Sequence, residues 1–435
     1  MDIALQAALL MAVSLIIMLA LAVPIGISIG ASSVLAMLMV FPGSIALQTS
    51  AQKMFVGIDS FALMAIPFFI LAGNIMNNGG ISIRLVNCAQ LLSGRLPGSL
   101  AQTNVVANMM FGAISGSGAA AAAAIGSTMN PIEKKEGYDI AYACAVNAAS
   151  APTGMLIPPS NLMIVYATVA GSVSVAALFM AGYIPGILWG LSVMLIAGYT
   201  ARKRGYVSKQ SVTLMQAVKI IFDAVPSLLL IVIVIGGILK GLFTATEGSA
   251  IAVVYALLLS FLYRTISLRD LPPIILGSCK MTCIVLFMVS VSSIMSWILS
   301  FTNVPTIIAE TMLSLSENKF AILLMMNLIL LFVGTFMDPT PAVLIFTPIF
   351  LPICMEFGIH PVHFGIIIVF NLSIGTITPP VGVILFTACK VANVTIEQVI
   401  RPILPYFAAI IFVLMLVTYI PDLSMALPKF FALVK

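Results

Sequence analysis

Two stretches of this chain break an otherwise apolar sequence in the same way. The first runs from Gly112 through Ser115-Gly116-Ser117-Gly118 and a run of alanines to Pro131, then through Asn147 and Gly154 to Pro158-Pro159. The second runs from Gly334 through Asp338-Pro339-Thr340-Pro341 to Pro352, then through Asn371 and Gly375 to Pro379-Pro380. Aligning the two Pro-Pro pairs puts Gly154 on Gly375 and Pro131 on Pro352, with Gly112 next to Gly334. Glycine and proline interrupt helices. Interrupted backbone is tolerated at membrane depth only where protein buries it or where it lines a wet cavity. Matched interruptions in two halves point to the binding site of a secondary carrier.

Composition places these breaks in a membrane. Of 435 residues, 61% are hydrophobic and only 8% charged, against about 25% charged in a soluble domain. The mean hydropathy is +1.19. The N-terminus, Met1-Asp2-Ile3, has no basic segment, so the first apolar run reads as a retained helix rather than a cleaved signal. The six cysteines lack zinc or redox spacing and read as small packing residues. No hydrolase, metalloprotease or phosphate-binding motif is present, so the chain is not expected to be an enzyme. Without ATPase machinery, energy must come from an ion gradient or another subunit.

The expected fold is an all-α polytopic membrane protein made of inverted repeats with two re-entrant hairpins. Residues 1–210 hold crossings near 4–22, 25–41, 60–77, 138–168 and 176–200, with a hairpin at 97–130. Residues 211–435 hold crossings near 221–239, 246–263, 279–300, 360–390 and 402–420, with a hairpin at 322–353. The crossings at 138–168 and 360–390 are expected to be broken helices. An odd number of crossings per half turns the second half upside down. Segments 42–58, 79–96 and 302–320 suit helices lying at the interface. Placing the basic linker Arg202-Lys203-Arg204 through Lys209 in the cytoplasm puts both termini outside and 14 of the 19 basic residues inside. Lys53, Lys240, Lys319, Lys429 and Lys435 fall outside. The positive charge thus sorts by membrane side and does not indicate a nucleic-acid partner.

The hairpin tips and helix breaks carry the candidate chemistry. Broken helices expose free carbonyls at one end and free N–H groups at the other. Carbonyls with a Ser or Thr hydroxyl suit sodium, and N–H groups suit a carboxylate. One sodium is expected among Gly112, Ser115, Gly154 and Ile157, and a second among Gly334, Gly375, Thr378 and Val381. The solute is expected to meet Ser115, Ser117, Asp338 and Thr340 at the tips, and Asn147, Ser150, Thr153, Asn161 and Asn371 beside the breaks. Single polar residues of this kind also serve as interhelical hydrogen bonds. Asp338 is in addition a natural helix cap, and Glu247 reads as part of a cap with Thr244 or Thr246. His360-x2-His363 reads as a solvated loop pair.

The chain resembles the large membrane subunit, of DctM type, of tripartite ATP-independent periplasmic (TRAP) transporters. The resemblance runs nearly full length. Its carriers are Phe55-Val56-Gly57-Ile58-Asp59-Ser60-Phe61 through Ala65-Ile66-Pro67-Phe68-Phe69, Gly112 to Gly118, Phe243 to Glu247, Gly334 to Pro341, and Asn371 to Gly382. It implies an elevator mechanism coupled to sodium in the bacterial or archaeal inner membrane. It also implies a separate small four-helix membrane subunit and a periplasmic substrate-binding protein. The implied solute is an organic acid such as a C4-dicarboxylate, sialic acid, or a keto or sugar acid. A single-component carrier of the same superfamily remains the alternative, and a membrane scaffold without flux leaves the matched breaks unexplained.

Overall fold

The structure is a computed structural model describing residues 3–171, 173–206, 214–316 and 318–434. Lys209, Lys435 and the expected boundary between the halves at 210–211 lie outside the described residues. Among those described, the regular structure is helical.

In the first part of the chain, α1 (Ile3–Ala20), α2 (Ile25–Val40) and α3 (Gly43–Ile58) lead through a short turn at Phe61–Met64 into α4 (Ala65–Asn78) and α5 (Ile81–Ser93). The first hairpin is α6 (Ser99–Ser115) and α7 (Gly118–Lys135). The first broken helix is α8 (Ile140–Ser150), the single turn α9 (Thr153–Leu156) and α10 (Asn161–Ala170), and α11 (Val175–Lys203) follows. Next come α12 (Leu214–Leu239), α13 (Ala245–Leu262), α14 (Leu271–Phe301) and α15 (Val304–Leu315). The second hairpin is α16 (Lys319–Gly334) and α17 (Pro339–Glu356), and the second broken helix is α18 (Pro361–Gly375) and α19 (Val383–Ala392). The long α20 (Ile396–Tyr419) and the short α21 (Asp422–Phe430) complete the fold. The shift that carries Pro158 onto Pro379 also carries the starts of α7, α8 and α11 onto those of α17, α18 and α20.

Each of these matched starts has a polar cap, because free N–H groups cost too much in an apolar setting to go unpaired. Ser117, Asp139 and Ser174 cap α7, α8 and α11, and Asp338, His360 and Thr395 cap α17, α18 and α20. Thr244 and Glu247 form the reciprocal capping box of α13, as expected.

The helices sort into a central set and a peripheral set. In the centre, α18 is buried from Val362 to Gly375. Trp189 of α11 packs on Phe370 at 4.7 Å and donates its indole N–H to the Ala149 carbonyl at 2.8 Å. Around this core, α4 packs on α13, α5 on α12, and α14 runs along α2, α3 and α4. The expected interface segments are the helices α3, α5 and α15.

Several contacts tie helix ends together. The Thr246 hydroxyl donates to the Phe61 carbonyl, and that of Thr265 to the Gly79 carbonyl. Tyr166 donates to Pro361 O at 2.6 Å, Tyr419 to Phe320 O at 3.1 Å, and Arg204 pairs with Asp139. All five join two ends that the charge pattern assigns to the same membrane side.

Three features go beyond the sequence reading. By length and apolarity alone, seven described helices qualify as spans, or eight with the bent α8–α10 unit, which is compatible with ten crossings because short and broken helices fall below that length. The hairpin arm α17 passes that test, whereas α2, α18 and α19 are apolar but shorter. Second, the histidines are not a solvated pair. His360 caps α18, accepting from the Val362 N–H at 3.1 Å. His363 is only 2% exposed, bonded to Ser424 Oγ at 2.6 Å and Thr418 O at 3.2 Å. α18 begins at Pro361, so His363 lies inside the helix, and α21 packs over it. Third, Cys279 and Cys283 lie on the exposed surface of α14, while the other four cysteines are buried.

Candidate functional site

Each hairpin crosses its broken helix where two glycines meet. A Cβ on Gly154 would sit 2.5 Å from Gly112 Cα, and one on Gly375 would sit 2.6 Å from Gly334 Cα. No side chain fits at either crossing, so the two backbones touch. The first tip is a Gly116-Ser117 turn. Gly116 has φ +62°, a left-handed conformation that favours glycine, and its N–H bonds back to the Gly112 carbonyl at 2.9 Å. Pro159 O lies 2.8 Å from where a Gly116 Cβ would stand, which ties this tip to the first break. At the second tip the Thr335 carbonyl accepts from the Val381 N–H at 3.2 Å, bridging tip and break. The Thr378 hydroxyl donates to the Ile374 carbonyl at 2.8 Å. Both Pro-Pro bonds are cis.

The tips and breaks surround one cavity of about 440 Å³. Ser115 to Ala120 of the first tip and Asp338, Pro339 and Thr340 of the second line it. Met155 and Asn161 of the first break and Thr376, Val383 and Ile384 of the second complete the central side. The opposite wall is peripheral: Ile66, Ile70, Gly73 and Asn74 of α4, and Met281, Ile284, Val285 and Met288 of α14. A volume of this order suits a small organic molecule.

The electrostatics combine the Asp338 carboxyl with the backbone. The first residues of α7, α10, α17 and α19 (Gly118, Asn161, Pro339 and Val383) all line this cavity. Four helix N-termini converge there with their positive dipole ends, an arrangement that favours an anion. Asp338 Oδ1 is held by the Thr340 N–H at 3.1 Å as the cap of α17. Asn161 Oδ1 is buried and has no hydrogen-bond partner in the protein.

The sequence candidates divide into two groups. Ser115, Ser117, Asp338, Thr340 and Asn161 line the cavity. Asn147, Ser150, Thr153 and Asn371 do not; they are buried in hydrogen-bond networks between helices. Asn108 of α6 donates to Asn147 Oδ1 at 2.9 Å and to Ser150 Oγ at 2.8 Å, and Thr153 bonds to Ser150 O at 2.7 Å. Asn371 donates to Asn327 Oδ1 at 2.6 Å, and Asn327 in turn to Thr418 Oγ1 at 3.1 Å. These bonds hold each hairpin to its broken helix. Of the cation candidates, Gly112 meets Gly154, Gly334 meets Gly375, and Val381 joins the second tip. Ile157 closes the turn after the first crossing, its N–H bonded to Thr153 O at 2.8 Å. Among the described residues no group of three His, Cys, Asp or Glu forms a metal site. Asn74 and Thr376 were not anticipated. A polar Asn74 within the apolar run of α4 was the available signal for one of them.

Comparison with known proteins agrees with this architecture. The family model for the DctM component of the tripartite ATP-independent periplasmic transporter matches residues 12–423. A Salmonella typhimurium protein, the uncharacterised YgiK, is 54% identical over 96% of both chains. The isethionate TRAP transporter permease protein DctMQ of Oleidesulfovibrio alaskensis is 42% identical over 95% of this chain, which spans 64% of that longer protein. The C4-dicarboxylate TRAP transporter large permease protein DctM of Pseudomonas aeruginosa is 39% identical, over 92% of this chain and 94% of its own. Among solved structures, the YdaH transporter of Alcanivorax borkumensis aligns with a TM-score of 0.61 at 16% identity, covering 87% of this chain and 88% of its own. That likeness concerns the fold alone. On the family match and these relatives together, the chain belongs to the DctM component family of TRAP transporters, as a multi-pass inner-membrane permease subunit and not an enzyme.

Proposed function

We propose that this chain is the translocating subunit of a sodium-coupled importer of a small organic acid. In this reading a periplasmic binding protein delivers the acid and a separate small four-helix membrane subunit braces the frame. Residues 1–210 and 211–435 are inverted repeats. The central set, carrying both hairpins and both broken helices, slides as an elevator against the peripheral frame.

The observation that carries this reading is the single cavity in which both tips and both breaks face α4 and α14. Ser115, Ser117, Asn161, Asp338 and Thr340 contact the solute there, and the four helix N-termini supply the attraction for its acid group. One sodium is held by Gly112, Ser115, Gly154 and Ile157, and a second by Gly334, Gly375, Thr378 and Val381. The close backbone crossings support these assignments, because backbone bare of side chains leaves carbonyl oxygens accessible to a hard cation. The relatives named for isethionate and for C4-dicarboxylates favour a compact anionic solute.

The cavity shares Asn74 and Met281 with a larger one of about 620 Å³, lined also by Thr265 and Asp270 at the end assigned to the cytoplasm. The present arrangement is thus read as inward-facing.

Movement of the tip past the frame is directly testable. A Cβ on Gly73 would lie 3.5 Å from Ser115 Cβ, within disulfide range. Oxidising a Gly73→Cys/Ser115→Cys protein should abolish the uptake of labelled succinate or isethionate that the reduced double variant retains. The reduced variant's own rate is the reference, because Ser115 also contacts solute and cation, and reductant should return uptake to that rate. Full uptake with the cross-link formed would rule out sliding of this tip.

A further inference from the structure

A second polar cavity lies at the opposite end of the frame and has no part in the site described above. It measures about 420 Å³ and sits between α3, the middle and last turns of α14, and the central elements α10 and α17. Its walls include Lys53, Ser60, Ser292, Ser293, Ser296 and Ser300. It shares no lining residue with the central cavity, and the charge pattern assigns its end to the outside.

Three observations point to a ligand. Ser292 is 3% exposed, lines this cavity, and its hydroxyl has no hydrogen-bond partner in the protein. A buried hydroxyl left unpaired is costly, and an incoming acceptor would relieve that cost. Lys53 is half-buried, and no carboxylate lies within ion-pair distance of it among the described residues. Its ammonium instead stands 5.5 Å from the centre of the Trp297 ring. Lys53 is also among the few basic residues that the charge pattern leaves outside, where basic residues are disfavoured. A cation without a counter-ion, beside a run of hydroxyls in a solute-sized cavity, is the chemistry of an anion site.

We propose that this outer vestibule is the entry subsite for the anionic end, carboxylate or sulfonate, of the organic acid. Lys53 supplies the charge, and Ser292 with its neighbouring serines donates hydrogen bonds. The proposal rests on the reading of the chain as an organic-acid importer. It adds a way-station on the frame itself, on the α14 surface that the hairpin tips would face after sliding outward.

Trp297 provides a local probe, since an anion drawing Lys53 away from the ring changes the environment of one of only two tryptophans in the chain. The purified full-length protein is titrated with succinate and with isethionate, with sodium chloride as the ionic-strength control, in the absence of any binding protein. A saturable change in tryptophan fluorescence is expected with one of the acids. It should vanish in Trp297→Phe, weaken about tenfold in affinity in Lys53→Gln, and recover in Lys53→Arg. Ser292→Ala should weaken it less. In proteoliposomes, Lys53→Gln should raise the half-saturating acid concentration about tenfold while leaving the maximal rate near wild type. No saturable change with either acid, or equal affinity in wild type and Lys53→Gln, would overturn the proposal, as would lost binding with unchanged uptake kinetics. A saturable, Lys53-dependent signal in a protein that transports neither acid would count against the importer reading and leave the anion site standing.

Discussion

The two glycine crossings make a prediction whose size follows from the geometry. In Gly154→Ala the new Cβ lies 2.5 Å from Gly112 Cα and 3.1 Å from the Gly112 carbonyl carbon. Carbon atoms rest at about 3.5–4.0 Å, so α9 and α6 must part by about 1 Å. Both partners are backbone, and no side chain can rotate away. Overpacking of this kind costs about 1–3 kcal/mol. Gly375→Ala meets the same obstacle, 2.6 Å from Gly334 Cα. The control is Gly236→Ala in α12, where nothing lies within 4 Å of the added carbon. There the substitution should stabilise by up to about 1 kcal/mol through helix propensity alone. Thermal unfolding of the purified protein, with and without sodium, should rank both crossing variants well below this control. Spreading the crossings also separates the carbonyls assigned to sodium, so the half-saturating sodium concentration should rise in both variants and stay unchanged in Gly236→Ala. Crossing variants as stable as the control, with wild-type sodium dependence, would refute the close backbone contact and the cation assignment together.

Substitutions at three further residues separate structural from functional roles. Asp338→Asn keeps the cap on α17, because an amide oxygen can accept the Thr340 N–H as well. It should therefore leave the melting temperature near wild type while sharply reducing uptake, and Asp338→Ala should in addition cost about 1 kcal/mol of stability; normal uptake in the Asn variant would remove the charge from the mechanism. Thr378→Val should raise the sodium concentration for half-maximal uptake, and unchanged sodium dependence would remove that hydroxyl from the site. At the expected cytoplasmic end, partial burial pushes the Asp139 carboxyl up, but hydrogen bonds from Arg204 and the Ala141 N–H outweigh it and hold the group below its ordinary value. A lowered value in the folded state means that the stabilisation is present above about pH 4 and is lost as pH falls below it. Asp139→Asn should flatten that acid limb of the melting curve, and an unchanged limb would show that the pair with Arg204 contributes nothing measurable.

Much of the site was legible because helix breakers leave a mark that does not depend on tertiary contacts. Gly112, Gly154, Gly334 and Gly375 stood at matched positions in the sequence, and a glycine pair is what a backbone crossing requires. Ser117 and Asp338 were legible for a related reason, since a capping residue sits next to the break it closes. Asn147, Ser150, Thr153 and Asn371 were not distinguishable from cavity residues. An amide or hydroxyl beside a break looks the same in sequence whether it faces solute or bonds to a neighbouring helix. The burial of His363 depends on α21, a short helix beyond the last crossing whose docking is a long-range event. Hairpin arms and spans differ little in length, and α17 is apolar enough to pass for a span. Lys53 was visible only as an exception to the charge rule, and the cavity beside α14 is needed to give it a role.

The most direct measurement is uptake into proteoliposomes holding this chain and its small membrane partner. Labelled succinate and isethionate would be offered with and without an inward sodium gradient, and with and without the cognate periplasmic binding protein. The account predicts accumulation of an organic acid only when both the gradient and the binding protein are present. Accumulation without the binding protein would contradict it and make the chain a self-sufficient carrier, and accumulation indifferent to sodium would remove the proposed cation sites from the mechanism.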